Sequence, residues 1–142
     1  MGIPDRKEGL REKTMSEFTF YHIHLFSRDP LATARYYERM FGAKVLESVQ
    51  SDGKRRIDLD INGLSIFILR VPPDQDLPAG PPGPRLGLDH FGFRVPNLDE
   101  TAARLKALGA EFAEEPRTLR PGVKIAYVRA PENVRIELVE RT

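Results

Sequence analysis

Imidazole can ligate a metal, move a proton or hydrogen-bond a substrate, and two of the chain's three histidines occupy matched places in a repeated pattern. His90 lies near the start of LDHFGFRVPNLDETAARLKALGA (88–110), and His22 near the start of YHIHLFSRDPLATARYYERMFGA (21–43). With His90 set on His22, Asn97 falls on Asp29, each seven residues after its histidine, and Gly109-Ala110 falls on Gly42-Ala43 with one residue of slip. Self-similarity of this kind reports a duplicated structural unit. The third histidine, His24, follows His22 by two residues and so shares its face of a strand. A lone histidine in a strand is usually a satisfied core or surface residue; the repeat singles out His22 and His90. The chain has no cysteine, which excludes disulfides and thiolate metal sites.

The elements that must position these residues follow from pattern. FTFYHIHLFS (18–27) is aromatic and β-branched without a breaker and predicts a strand, with His22, His24 and Phe26 on one face and Ile23 and Leu25 on the other. Asp29-Pro30 supplies an N-cap and a first-turn proline, Leu31, Ala34, Tyr37 and Phe41 recur at helical spacing, and Gly42 ends the helix. Three strands follow, roughly VLESVQ, RRIDLDI and LSIFILR, turned at Ser51-Asp52-Gly53 and Asn62-Gly63. The second half repeats the order. A strand spans Leu88 to Val95, Asn97 or Asp99 caps a helix carrying Leu105 and Leu108, and three short strands lie near Glu111–Ala113, Lys124–Arg129 and Val134–Val139. Pro116 to Gly122 and Ala130 to Asn133 separate them. The expected class is α+β, two βαβββ modules with eight strands.

At 142 residues the chain is one domain's worth. Residues 1–17 are charged and poor in large apolar groups, and are expected to be a flexible polar tail; module one spans 18–71, a Pro/Gly-rich linker 72–84, and module two 85–142. Twenty-two basic residues against twenty-one acidic ones leave no electrostatic footprint for nucleic acid or an anionic membrane. No apolar run reaches the length of a membrane span, and a cytoplasmic protein is the default.

Taken together, His22 with Tyr36-Tyr37-Glu38 and Phe41-Gly42, LDHFGFRV with its helix ending LKALGA, and APENVRIELVE resemble the vicinal oxygen chelate superfamily. That superfamily includes glyoxalase, bleomycin-resistance and ring-cleaving dioxygenase proteins. The resemblance runs from Phe18 to Glu140. It implies paired modules curled into an open eight-stranded cup with helices outside, a divalent metal on the concave faces, and a homodimer with sites near the subunit contact. By the same resemblance His22 and His90 are metal ligands and Glu137 is the carboxylate ligand. Setting Leu64–Ile68 on Val134–Leu138 makes Phe67 the first-module counterpart of Glu137, so the fourth protein ligand of many glyoxalase-type members is missing. Two imidazoles and one carboxylate form the facial set suited to Fe2+, which is favoured, although Mn2+, Zn2+, Ni2+ or Co2+ would accept it. Taken alone, Glu137 reads as readily as the solvent-facing residue of an alternating strand.

Around this set, His24 and Tyr127 are the candidate catalytic residues: His24 could replace His22 as ligand, act as an acid or base, or, the first choice, contact substrate or support a ligand, and Tyr127 is expected to hydrogen-bond a metal-bound oxygen, unless it is simply a strand tyrosine. Arg94 and Arg135 either face an anionic substrate inside the cup or sit at its rim in surface ion pairs. Phe67 offers an apolar wall, and Lys54-Arg55-Arg56 reads as a solvated edge. Two function classes follow. One is a metal-dependent enzyme acting on a small oxygen-chelating substrate, leaning to extradiol-dioxygenase-like ring cleavage over a glyoxalase-like lyase or isomerase reaction. The other is a metal-free small-molecule binding protein of the bleomycin-resistance kind.

Overall fold

A computed structural model describes residues 16–142. The expected tail therefore lies almost wholly outside the described residues. The elements run β1 (His22–Ser27), α1 (Pro30–Phe41), β2 (Lys44–Val49), β3 (Arg55–Ile61), β4 (Leu64–Arg70), β5 (Phe91–Arg94), α2 (Leu98–Ala107), β6 (Glu111–Arg120), β7 (Val123–Arg129), a short 3-10 turn (Pro131–Asn133) and β8 (Arg135–Arg141). The eight strands divide into two four-stranded sheets of identical topology, ordered β1-β4-β3-β2 and β5-β8-β7-β6. In each sheet the first strand pairs parallel to the last, and the remaining pairs are antiparallel. The duplication in sequence is thus a duplication of fold.

Both helices start and stop where their residues require. Asp29 caps α1 by accepting from the Ala32 amide, and Gly42 ends it in the left-handed region at φ 68°. Asn97, not Asp99, caps α2, accepting from the Glu100 amide. The β3–β4 hairpin turns on Asn62 and Gly63, with φ of 50° and 90°, the double positive φ of a two-residue I′ turn.

Alternation sorts the faces. Ile57 and Leu59 of β3, Ile66 and Ile68 of β4, Ala126 and Val128 of β7 and Ile136 and Leu138 of β8 all point to the helix side. There they join Ala34, Tyr37 and Met40 of α1 and Leu98 and Leu105 of α2 in one cluster that spans both modules. Each fully buried leucine of this kind contributes about 2 kcal/mol against exposure. The opposite faces carry His22, His24, Asp58 and Phe67 on the first sheet, and Tyr127, Arg135 and Glu137 on the second.

Three expectations about strands change. Both leading strands are shorter than their sequences suggest, because a strand needs a neighbour to pair with. β4 begins at Leu64 and His22 pairs with Ser65, so Phe18 to Phe20 run past the end of β4, and among the described residues none of Phe18 to Tyr21 has a ladder partner. Likewise β5 begins at Phe91, just after His90. Conversely, β6 runs ten residues straight through Pro116. As an edge strand it pairs only with β7, and the register shift between Glu114 and Arg117 absorbs the proline.

Candidate metal centre

Register confirms which residues of the two modules correspond. Phe67 pairs with His24, two residues after His22, and Glu137 pairs with Gly92, two residues after His90. His90 precedes β5 and Glu137 lies mid-β8, so the parallel pairing of these strands brings their side chains together. His90 Nε2 stands 3.8 Å from Glu137 Oε2. Tyr127, directly across from Glu137 on β7, donates its hydroxyl to the same oxygen at 2.7 Å. Burial first, then this bond to a carboxylate, pushes the Tyr127 phenol up to about 12. Tyr127 is therefore a neutral donor that orients Glu137.

The other ring nitrogen of His90 is also held. His90 Nδ1 and Asp89 Oδ2 are 2.7 Å apart, and Asp89 Oδ1 accepts from the Arg85 amide at 2.8 Å. The bond to His90 holds the Asp89 carboxyl below its usual range, helped by the Arg85 amide and by the charge of Arg135. Arg135 is buried, with Nε 3.5 Å from Asp89 Oδ2 and its guanidinium 4.7 Å from the Tyr127 ring centroid. That side chain shares a sheet face with Glu137, and its charge is already engaged by Asp89. Arg94 also faces away from the core, yet it stays exposed and donates to the Arg141 carbonyl at 3.3 Å.

On the first sheet the His22 ring stacks on Phe67, with centroids 4.3 Å apart and planes 25° apart. Arg56 lies 4.7 Å from the Phe67 centroid and binds Asp58 through Nε at 2.8 Å. Arg56 is thus part of the inner face rather than a purely solvated edge. His24 is exposed and meets Phe26 edge-on at 5.0 Å. The expected set of His22, His90 and Glu137 is not assembled within the chain. Among the described residues no group of three or more His, Cys, Asp or Glu is placed to hold a metal ion. His22 belongs to one sheet, His90 and Glu137 to the other, and no ladder joins the two sheets.

The two donors that do meet fit a divalent ion. With bonds of about 2.1 Å, two ligands of one ion lie between about 3 and about 4.2 Å apart, which brackets the His90 to Glu137 separation. A carboxylate behind the far imidazole nitrogen is the usual support of a ligating histidine. Cavities of about 580 and 490 Å³ lie elsewhere, between α1 and the Pro131–Asn133 turn, and include none of these residues. Their arginines are partly neutralised, Arg28 by Glu132 and Arg35 by Glu38.

The model of one family, described as the Glyoxalase/Bleomycin resistance protein/Dioxygenase superfamily, matches residues 19–138. The chain belongs to this superfamily. A lactoylglutathione lyase of Pseudomonas aeruginosa is 23% identical across 87% of this chain and 83% of its own. Among solved structures, a glyoxalase/bleomycin resistance protein/dioxygenase domain from Frankia superposes with a TM-score of 0.66 at 26% identity, covering 89% of this chain and 100% of that one. A glutamate-to-glutamine variant of the fosfomycin resistance protein FosX from Listeria monocytogenes, complexed with manganese(II) and a dihydroxypropylphosphonic acid, superposes at 0.65 with 25% identity, covering 91% and 93%. That Listeria protein holds manganese(II) together with a small oxygen-rich ligand.

Sequence reasoning passed over Asp89, Arg85 and Asp58, and read Arg56 only as part of a solvated edge. The one available signal was adjacency: Asp89 directly precedes His90. The rest depends on contacts between strands or across the linker, which no local pattern encodes.

Proposed function

We propose that this chain is a divalent-metal-dependent enzyme acting on a small substrate that chelates the ion through adjacent oxygens. In this reading His90 and Glu137 of one chain and His22 of a second copy form the site. The observation that carries it is the 3.8 Å pairing of His90 Nε2 with Glu137 Oε2, with each group steadied from behind by Asp89 and Tyr127. A second copy is supported by large apolar residues left in the open just ahead of both leading strands. Phe18, Phe20 and Tyr21 are 83%, 76% and 71% exposed, and Leu86 and Leu88 are 100% and 76% exposed. Large apolar side chains left this exposed favour burial against a partner.

When bound, the ion would supply Lewis-acid polarisation of a substrate oxygen. The chain's own residues do the rest. Phe67 walls the site, Arg56 lies against that wall with its charge held by Asp58, and His24 lies on the same face to hydrogen-bond substrate or move a proton. Mn2+ is taken ahead of Fe2+ because of the manganese(II) complex of the Listeria protein. For the same reason, together with the lyase relative, Lewis-acid chemistry of the lyase or addition type is taken ahead of ring cleavage.

The test uses His22→Ala and Glu137→Ala separately and mixed. Wild type is expected to bind one Mn2+ per chain and each variant alone essentially none. Mixing and subunit exchange should restore roughly a quarter of the sites, because half the dimers are mixed and each mixed dimer has one intact site of two. No recovery would sink the shared site. No binding by wild type of any divalent ion would sink the metal reading and leave a metal-free binding cup.

A further inference from the structure

The proline-rich stretch between the modules is stapled at its downstream end. Arg85 Nη2 donates to the carbonyls of Pro81, Gly83 and Asn133 at 2.7, 3.5 and 2.8 Å. The Gly80 amide donates to the Glu132 carbonyl at 3.2 Å, and Asn133 Nδ2 donates back to the Gly80 carbonyl at 2.9 Å. Glu132 and Asn133 hold φ of 62° and 59°, a left-handed turn directly ahead of β8, the strand that carries Glu137. One strap therefore ties the approach to β8 to the approach to His90.

Four residues beyond Arg85 stands Asp89. Its Oδ1 takes the Arg85 amide, and its Oδ2 takes His90 Nδ1 with Arg135 Nε 3.5 Å away. An ionised carboxylate can only accept hydrogen bonds, so the proton of a neutral His90 ring must sit on Nδ1. The lone pair is then on Nε2, the nitrogen that faces Glu137. Because the two ring nitrogens diverge, Asp89 sits behind the ring and is not itself placed as a ligand beside Glu137.

We propose that Asp89, anchored through the Arg85-stapled strap, is the positioning residue that fixes His90 in its Nδ1–H tautomer and so makes the His90 and Glu137 pair competent to bind an ion. This rests on the metal reading of that pair. It also gives the linker a role: it carries the orientation of a ligand, not merely the connection between modules.

Asp89→Asn separates orientation from packing. The asparagine keeps its oxygen on the Arg85 amide and turns an N–H toward Nδ1, which drives the ring proton to Nε2, the wrong nitrogen for a ligand. Long-range 15N–1H correlation on metal-free protein should report Nδ1–H for His90 in wild type and Nε2–H in Asp89→Asn. Mn2+ affinity should fall by about ten- to a hundredfold, with the thermal midpoint moved only slightly. The same tautomer in both proteins, or Mn2+ affinity within twofold, would overturn the proposal. Should Asp89→Asn fail to fold, Arg85→Ala carries the test, since it keeps the main-chain amide but frees the strap. A clear loss of Mn2+ affinity in that variant is expected, and unchanged affinity would refute the strap's part. If wild type binds no Mn2+, the metal reading fails by itself, while the tautomer comparison still decides whether Asp89 sets the ring.

Discussion

At the scale of single residues, the centre depends as much on what is small as on what is polar. Gly92 pairs with Glu137, and a Cβ placed there would stand 3.3 Å from the Glu137 carbonyl oxygen and 3.8 Å from its Oε1. The glycine leaves the carboxylate room, whereas its counterpart in the first module is His24 beside the apolar Phe67. Gly92→Ala is expected to push Glu137 by a few tenths of an ångström. Mn2+ affinity should then drop severalfold while the melting temperature falls by only a few degrees. Calorimetric titration beside a thermal melt checks this. A stability loss with full ion affinity would mean that the glycine serves packing alone.

At the scale of elements, each helix is set by its cap and held by the core both modules share. Asp29 caps α1, whose Tyr37 and Met40 are almost fully buried. Tyr36 of the same helix reaches the Arg129 carbonyl at 3.4 Å and so touches the second module. Asp29→Ala removes one cap, which costs about 1 kcal/mol and for a chain of this size lowers the midpoint by roughly 3 °C. Because His90 and Glu137 are supported from other elements, Mn2+ affinity should not change. The cap of α1, the choice between Asn97 and Asp99 for α2 and the hairpin turns of the first module were legible in sequence because each is a local matter of one or two residues. The length of β6 was not, since only its place at a sheet edge makes Pro116 tolerable.

At the scale of the molecule, phenols inside the fold tie stability to alkaline pH. Burial pushes Tyr36 up to about 12, and burial with the Glu137 bond does the same for Tyr127. An unfolded tyrosine ionises near pH 10. Between about 10 and 12 the folded state therefore holds more protons than the unfolded state, so stability falls as pH rises through that window and is intact below it. Urea midpoints measured from pH 9 to 12 should decline over this interval. Tyr127→Phe should flatten part of the slope, and an unchanged slope would show that the phenol is not held as described.

The sequence by itself determined the duplicated βαβββ plan, the cap of α1, the faces of the strands and the correspondence of His22 with His90 and of Phe67 with Glu137. All of these follow from short-range periodicity, because alternation and helical spacing are properties of neighbouring residues. Only the tertiary structure decided where the leading strands begin, that Asp89 and Tyr127 steady the two donors, and that Arg135 spends its charge on Asp89. It also decided that His22 stands on a separate sheet from its expected partners. These depend on which strand edges meet and which loops cross them, and pairings between distant segments leave no trace in local pattern.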